Sequence, residues 1–171
     1  GDNLYMLVRQ PIRYVRVLAS AAADAGRAGL ANRIGLGLIY RFIVAASAAR
    51  ILIYEKCEHL HVHFAHVPTD IAMYAAGMAA IPFSFTAHAK DIYTSNPAQI
   101  REKISLAKFV VTCTEYNKQH LLSLCDGQPA AIHRIYHGID TGLFKYSAIG
   151  QHPGASATTF LALPAVLLIT R

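Results

Sequence analysis

Positions 81 to 93 read Ile81-Pro-Phe-Ser-Phe-Thr-Ala-His-Ala-Lys-Asp-Ile-Tyr93, a short β-rich run that breaks into a turn of small residues. The turn carries His88 and Asp91, three positions apart. Ligands in open α/β sheets bind outside the carboxyl ends of the parallel strands. An imidazole and a carboxylate directly after such a strand therefore form a candidate site.

A second polar loop, His137-Gly138-Ile139-Asp140, follows another apolar run at residues 132–136. Glycine is the default residue where a loop needs a positive φ that a β-carbon would obstruct, and we predict this conformation for Gly138. The sequence thus places polar loops at the ends of two predicted strands.

From position 57 onward, strand-like and helix-like segments alternate regularly. Strands are predicted near residues 59–64, 82–86, 108–113 and 131–136, and helices near residues 68–80, 97–107 and 115–124. The strands are short and apolar on both faces, as parallel strands covered by helices should be. The intervening helices are long enough for right-handed crossovers. The pattern therefore predicts an α/β fold with a Rossmann-like parallel sheet and flanking helices.

The basic charge of the chain is concentrated near its N terminus. The net charge is +6, and residues 1–56 contain eight basic and three acidic side chains, a difference of +5. Arg9, Arg13 and Arg16 share one helical face if Pro11 occupies the first turn of that helix. This face is either solvated or attracted to an anionic membrane surface or a phosphorylated substrate. Nucleic acid is a poorer match, because no aromatic stacking series accompanies the arginines.

The candidate for a membrane span is the strongly apolar stretch at residues 34–54. Arg41 and Arg50 lie inside it, and a central arginine costs about 2.5–3.5 kcal/mol on membrane insertion. We therefore predict a long helix that is mostly buried or lies on a membrane surface.

Length and composition limit the class of protein. With 171 residues and 54% hydrophobic content, the chain can bury the core of one domain. The three cysteines have no CxxC spacing, so they predict neither a disulfide framework nor a cysteine zinc site, which fits a reducing cytoplasm. The apolar stretch at residues 4–8 is too short for a signal peptide.

Four segments carry a family resemblance. They are His61-Val-His-Phe-Ala, Pro82-Phe-Ser-Phe-Thr-Ala-His-Ala-Lys-Asp-Ile-Tyr, Ala107-Lys-Phe-Val-Val-Thr-Cys-Thr-Glu-Tyr-Asn, and Ile135-Tyr-His-Gly-Ile-Asp followed by Phe144. Their order and spacing resemble the acceptor-side domain of the family-four retaining glycosyltransferases. The bacterial members that build exopolysaccharides, of the colanic-acid type, are the most similar.

This resemblance implies a GT-B arrangement, in which two Rossmann-like domains face each other across a cleft. The chain resembles the N-terminal, acceptor-side half, and the nucleotide-sugar donor binds chiefly to the other half. The implied reaction transfers a sugar, with retention, to a saccharide or lipid-linked acceptor, and no cofactor is expected in this chain. A lipid-linked acceptor and the basic N terminus predict a cytoplasmic protein, peripheral at the inner face of the membrane.

The resemblance also implies roles for individual residues. His88 is the implied catalytic residue, pointing into the cleft near the transferred sugar, with a structural histidine as the alternative. Substrate-binding roles are implied for Asp91, Tyr93, Thr114, Asn117, His137, Gly138 and Asp140. For Asp91, helix capping or loop bracing is an equally good interpretation.

Domain organisation follows from the same resemblance. Residues 1–145 are expected to form a partial acceptor-side domain, residues 146–159 a linker, and residues 160–171 the first strand of a truncated donor domain. The opening strand and most of the donor domain of the family are missing from the sequence. We therefore expect a fragment of a longer enzyme that does not catalyse transfer alone.

Two other functions stay open. The first is a metal-dependent hydrolase that uses His61, His63 and His66, because alternate residues on a strand lie on one face with Cα atoms about 6.6 Å apart. The segment resembles a zinc-binding HxHxDH signature, but Ala65 replaces its aspartate, so we expect no metal site. The second is a non-catalytic interaction module, for which nothing in the sequence specifies a partner.

Overall fold

A computed structural model describes residues 1–29, 32–125, 127 and 130–138, together with the backbone of residues 168–170. Within these residues the chain forms helices and strands of an α/β fold. The helices are α1 (Asp2–Arg9), α2 (Pro11–Ala28), α3 (Arg33–Tyr54), α4 (Val67–Ala79), α5 (Ala89–Thr94), α6 (Pro97–Leu106) and α7 (Glu115–Ser123). The strands are β1 (His59–His63), β2 (Phe83–Ala87), β3 (Val110–Thr112), β4 (Ile132–Arg134) and β5 (Leu168–Thr170).

The strands form one sheet in the order β4-β3-β2-β1-β5. β1 to β4 are parallel to one another, and β5 pairs antiparallel with β1. Val62 lies beside Phe85, and Phe85 lies beside Val110, so the centre of the sheet is apolar. Because parallel strands share a direction, the loops after β1, β2, β3 and β4 meet at one edge, the carboxyl edge. The predicted α/β class, with a Rossmann-like parallel sheet and flanking helices, is confirmed.

The elements predicted from position 57 onward are confirmed in type and order, with ends that shift by two residues at most. The turn after β2 differs from the prediction, because it is the short helix α5. His88 precedes this helix, and the side chain of Asp91 at the third helical position accepts a hydrogen bond from the His88 backbone N–H. Reciprocal bonds of this spacing mark helix starts. The spacing of His88 and Asp91 was therefore a helix signal as well as a site signal.

The two faces of the sheet differ in burial. Leu60, Val62 and Phe85 are almost fully buried on the face that packs against α4. On the opposite face, His59, His61 and His63 are only half-buried. The expectation that the strands are apolar on both faces is wrong for β1, because its alternation of histidine and apolar residues sorts the two kinds onto opposite faces.

The N-terminal helices form a separate layer centred on α3. This helix packs against α1, α2 and α4, and the ring centroid of Phe42 lies 5.2 Å from that of Tyr14 and 6.3 Å from that of Tyr74. Among the described helices, only α3 is long and apolar enough to cross a membrane, and one third of its most apolar window is buried in the protein. The predicted long helix is confirmed, whereas a membrane role for it stays a prediction.

The N-terminal arginines occupy two helices rather than one. Pro11 stands in the first turn of α2, as predicted, but Arg9 is the last residue of α1, and Gln10 separates the two helices. The expectation of one shared helical face is therefore wrong. The residue before a proline is disfavoured in α conformation, which ends α1 at this point. Arg9, Arg13 and Arg16 are all exposed.

Several predictions of domain organisation lie outside the described residues. The predicted linker at residues 146–159 is among them, as is Asp140. Residues 168–170, which fall in the predicted first strand of a donor domain, pair with β1 of the present sheet. The division into acceptor-side domain, linker and donor domain stays a prediction.

Candidate functional site

Three histidines meet at the carboxyl edge of the sheet. His63 ends β1, His88 follows β2, and His137 follows β4. The ring centroid of His88 lies 5.8 Å from that of His63 and 5.9 Å from that of His137. We call His63, His88 and His137 the edge histidines. The two loops singled out in the sequence therefore meet, and His63 joins them from β1.

His88 has the chemistry of an available hydrogen-bonding group. Its Nε2 atom is buried but has no hydrogen-bond partner among the described residues. Burial lowers the pKa of the His88 imidazole, the Asp91 carboxylate opposes this shift, and the neighbouring His63 and His137 lower the pKa further. Burial therefore favours the neutral form of the ring. A neutral imidazole can donate one hydrogen bond and accept another.

Phe64 is a neighbour of the edge histidines that the sequence analysis missed. Its ring centroid lies 4.8 Å from that of His88 and 5.6 Å from that of His66. Its φ angle is +74°, a left-handed conformation that costs a residue with a β-carbon about 1–2 kcal/mol. Strained conformations of this kind cluster at functional sites. Sequence carries no signal for a positive φ at a phenylalanine.

Asp91 braces the loops at this edge. The side chain is 1% exposed, and its carboxylate accepts hydrogen bonds from the backbone N–H groups of Ala65 and His88. It thus links the loop after β1 to the loop after β2. This is the loop-bracing role that the sequence left open beside substrate binding. Both carboxylate oxygens accept hydrogen bonds from the protein backbone.

Tyr93, Thr114 and Asn117 lie together one strand further along the edge. The Tyr93 hydroxyl donates to Asn117 Oδ1 over 3.0 Å, and the Asn117 backbone N–H donates to Thr114 Oγ1 over 3.1 Å. The Thr114 hydroxyl therefore caps α7, while the Tyr93–Asn117 bond joins α5 to α7. Asn117 is buried, but Tyr93 keeps an exposed ring that a ligand could contact.

The loop after β4 presents His137 and Gly138 to solvent. Gly138 does not have the predicted positive φ, and the space around its missing β-carbon is open. The prediction of an obligatory glycine conformation is therefore wrong, because neither backbone strain nor a close neighbour requires glycine there.

The histidines on β1 and in the loop after it do not have the geometry of a metal site. His61 Nδ1 lies 2.7 Å from the Ser84 hydroxyl and His61 Nε2 lies 2.9 Å from the Thr86 hydroxyl, so both of its nitrogens are occupied. His66 Nδ1 accepts a hydrogen bond from the backbone N–H of Val67. Within the described parts of the chain, no three His, Cys, Asp or Glu side chains converge as metal ligands would. The geometry gives the metal-dependent hydrolase no support.

A cavity lined by charged side chains lies beside the edge histidines, and no local sequence pattern indicates it. Lys103 Nζ donates to the backbone carbonyl of Ala65 over 2.7 Å and lies 2.7 Å from Asp70 Oδ1, while Arg41 Nη1 lies 2.6 Å from Asp70 Oδ2. Lys103 and Asp70 are each 5% exposed. The partners are about 30 positions apart in the chain, so only the folded structure brings them together.

Comparison with known proteins identifies the family of this chain. The family model for Glycosyltransferase Family 4 matches residues 13–143, a span that includes all three edge histidines and the charged cavity. No curated protein gives a significant match. The parallel sheet with flanking helices agrees with a Rossmann-like glycosyltransferase domain. The chain belongs to glycosyltransferase family 4.

Proposed function

We propose that this chain is the acceptor-side part of a retaining glycosyltransferase that works with a donor-binding domain. The enzyme transfers a sugar from a nucleotide-sugar donor to a saccharide or lipid-linked acceptor, as in polysaccharide biosynthesis. The observation that carries this proposal is His88 at the carboxyl edge, with a buried Nε2 that no described residue engages. A polar atom in that state is costly unless a ligand or water satisfies it.

The proposed chemistry is a substitution on one face of the donor sugar. The bond between the anomeric carbon and the donor phosphate oxygen breaks, and a bond to the acceptor oxygen forms on the same face. The departing phosphate oxygen receives the acceptor proton. His88 attacks nothing in this scheme; its neutral ring binds a sugar hydroxyl and orients it, while Asp91 holds the loop that carries the ring.

Substitution of His88 tests the proposal in the enzyme that joins this chain to its donor-binding domain. Loss of an oriented hydrogen-bonding group at the reacting centre lowers turnover by about 10²-fold or more, so we expect this effect for His88→Ala. Steady-state kinetics with nucleotide sugars measures it. His88→Asn keeps a donor and an acceptor, and it should recover part of the loss.

His133→Ala is the matched control for this experiment. His133 lies on β4, is exposed, and contacts Phe109 rather than the edge histidines. Turnover within about twofold of the native enzyme is expected for this variant, as for surface substitutions in general. Native turnover in His88→Ala, or an equal loss in His133→Ala, contradicts the proposed role of His88.

We further propose that the protein lies at the cytoplasmic face of a membrane through α1 and α2. Leu4, Val8, Ile12 and Val15 are between 54% and 75% exposed on these helices. The exposed arginines Arg9, Arg13 and Arg16 lie on the same two helices. Apolar side chains beside basic ones suit an anionic lipid surface.

Vesicle sedimentation tests the membrane proposal. Binding should require anionic lipid, weaken with salt, and fall when the three arginines are replaced by glutamine, because each basic residue near the surface contributes about 1 kcal/mol. A triple replacement of Lys90, Lys108 and Lys118 by glutamine is the control, since it removes the same charge from the sheet domain. Equal binding to neutral and anionic vesicles contradicts the electrostatic part of the proposal.

A further inference from the structure

A cavity of about 650 Å³ lies between the helical layer and the carboxyl edge of the sheet. Side chains of α2, α3, α4 and α6 line it, together with the loop between α5 and α6. Small-molecule sites in proteins have volumes of about 300–1,000 Å³. The cavity is therefore large enough for a ligand, and the edge histidines are not part of its lining.

The charges that line the cavity cancel. Its three cations are Arg27, Arg41 and Lys103, and its three carboxylates are Asp24, Asp70 and Glu102. Each of the six groups makes an ion pair with another member of the set. An anionic ligand would meet no unpaired cation there, and a cationic ligand would meet no unpaired carboxylate. The cavity is suited to a neutral ligand.

The lining is nevertheless rich in hydrogen-bonding groups. Gln99 on α6 is a half-buried lining residue, and its side-chain amide can both donate and accept hydrogen bonds. The paired carboxylates retain lone pairs that can accept from hydroxyl groups. Leu38 and Met73 supply apolar wall beside these polar groups. Hydroxyl groups around a ring with apolar C–H faces match such a surface, and this is the chemistry of a sugar.

The buried charges are hard to explain by stability alone. Lys103 and Asp70 have side chains only 7% and 8% exposed. Burying an ion pair is often no more stabilising than packing apolar residues in its place. Placed at a cavity wall, the same groups give fixed dipoles that a polar ligand can use.

The cavity also adjoins the edge histidines. His66 belongs to its lining and stacks on Phe64, which in turn contacts His88. Lys103 in the cavity wall holds the carbonyl of Ala65, the residue whose N–H is held by Asp91. A ligand that fills the cavity therefore ends within one side-chain layer of His88.

We propose that this cavity binds the acceptor as a neutral saccharide. A volume of about 650 Å³ lies within the range of small-molecule sites. The proposal rests on the glycosyltransferase function proposed above and adds the charge class and the location of the acceptor.

Ligand-observed NMR on the 171-residue chain tests this inference directly. The probes are the methyl glycosides of glucose, galactose and mannose and the disaccharide maltose, with glucuronate and inorganic phosphate as anionic probes. At least one neutral probe should bind, and neither anion should compete with it. Gln99→Trp fills the cavity and should weaken that binding about tenfold or more by steric exclusion. Gln99→Leu keeps the volume but removes the amide, and it should weaken binding severalfold.

Ser105→Trp is the matched control, because Ser105 lies on the same helix α6, is exposed, and is not part of the cavity lining. The Ser105→Trp variant should bind the neutral sugar probe with native affinity. Circular dichroism should show native helix content in all three variants. Sugar binding that persists unchanged in Gln99→Trp and Gln99→Leu overturns the inference, and so does binding of phosphate in place of neutral sugars.

The same variants separate this inference from the proposed function. In the enzyme joined to its donor-binding domain, Gln99→Trp should raise the acceptor KM and leave donor hydrolysis in the absence of acceptor unchanged. Native acceptor KM in that variant removes the acceptor from the cavity while the glycosyltransferase function stands. Absence of sugar transfer by the native enzyme removes the function itself.

Discussion

The edge histidines and the charged cavity are neighbours that differ in whether their polar groups have partners within the protein. In the cavity, each of the six charged side chains has an ion-pair partner. At the edge, the buried Nε2 of His88 lacks a partner among the described residues. The difference separates a fixed frame of paired charges from a free hydrogen-bonding group. The paired charges hold the cavity walls in place, whereas His88 Nε2 keeps unused hydrogen-bonding capacity.

Removing the buried Lys103 ammonium group should have the largest effect on the free energy of unfolding. Lys103→Met leaves Asp70 with Arg41 alone and releases the carbonyl of Ala65. Breaking one partner of a buried ion pair costs about 3–5 kcal/mol, and we expect a loss of this size in the free energy of unfolding. Urea denaturation measures it, with the exposed Lys108→Met as control. A loss below about 1 kcal/mol would show that the pair does not hold the frame.

Loss of the Asp91 carboxylate, which links the loops after β1 and β2, should have the next largest effect on stability. Asp91→Ala leaves the backbone N–H groups of Ala65 and His88 without their acceptor. A buried donor left unpaired costs about 1–3 kcal/mol, so unfolding should become easier by about that amount. Asp91→Asn retains one acceptor oxygen and should lose less. If the two variants are equally stable, the bonds to the carboxylate are not what stabilises this edge.

Low pH should reduce the free energy of unfolding through the half-buried histidines on and beside the sheet. Burial lowers the pKa of His59, His61 and His88, with smaller contributions from nearby positive groups, whereas the Asp91 carboxylate opposes the shift at His88. These imidazoles bind protons more readily in the unfolded chain, so stability is constant above their ordinary pKa near ~6.5 and falls as the pH drops below it. Urea midpoints between pH 7.5 and 5 measure the fall. His61→Gln should flatten the profile, and an unchanged slope would contradict this account.

The smallest effect is expected in the loop after β4. Gly138 has an ordinary φ and open space where a β-carbon would stand. Gly138→Ala should therefore change the free energy of unfolding by no more than about 0.5 kcal/mol, as for an unconstrained surface position. Thermal denaturation checks this. A loss above about 1 kcal/mol would restore the glycine requirement that the sequence first suggested.

The sheet was predictable from sequence because its signals are local. Short apolar runs alternate with helix-length segments, and Pro11 and Pro97 mark helix starts at the positions where the structure has them. The exposure of one face of β1 was also readable, since histidine and apolar residues alternate there. This period of two indicates one exposed face, in conflict with the general expectation that a parallel strand is covered on both faces.

The charged cavity was not predictable, because its partners are distant in the chain. Arg41, Asp70 and Lys103 come from α3, α4 and α6, and each looks like an ordinary surface residue of a helix. The same holds for Phe64, whose positive φ depends on contacts with neighbouring loops. His88 is predictable because its position at a strand end is a local signal. Its contact with Phe64 depends on the folded structure.

Ala65 is held from both sides, by Asp91 at its N–H and by Lys103 at its carbonyl. Fixing the backbone of one residue costs about 1–2 kcal/mol of conformational entropy. Here that entropy is lost when the protein folds, so a ligand that reaches the site does not have to order the loop on arrival. The loop after β1 is thus preorganised, and more of the contact energy of a bound sugar is left to appear as affinity.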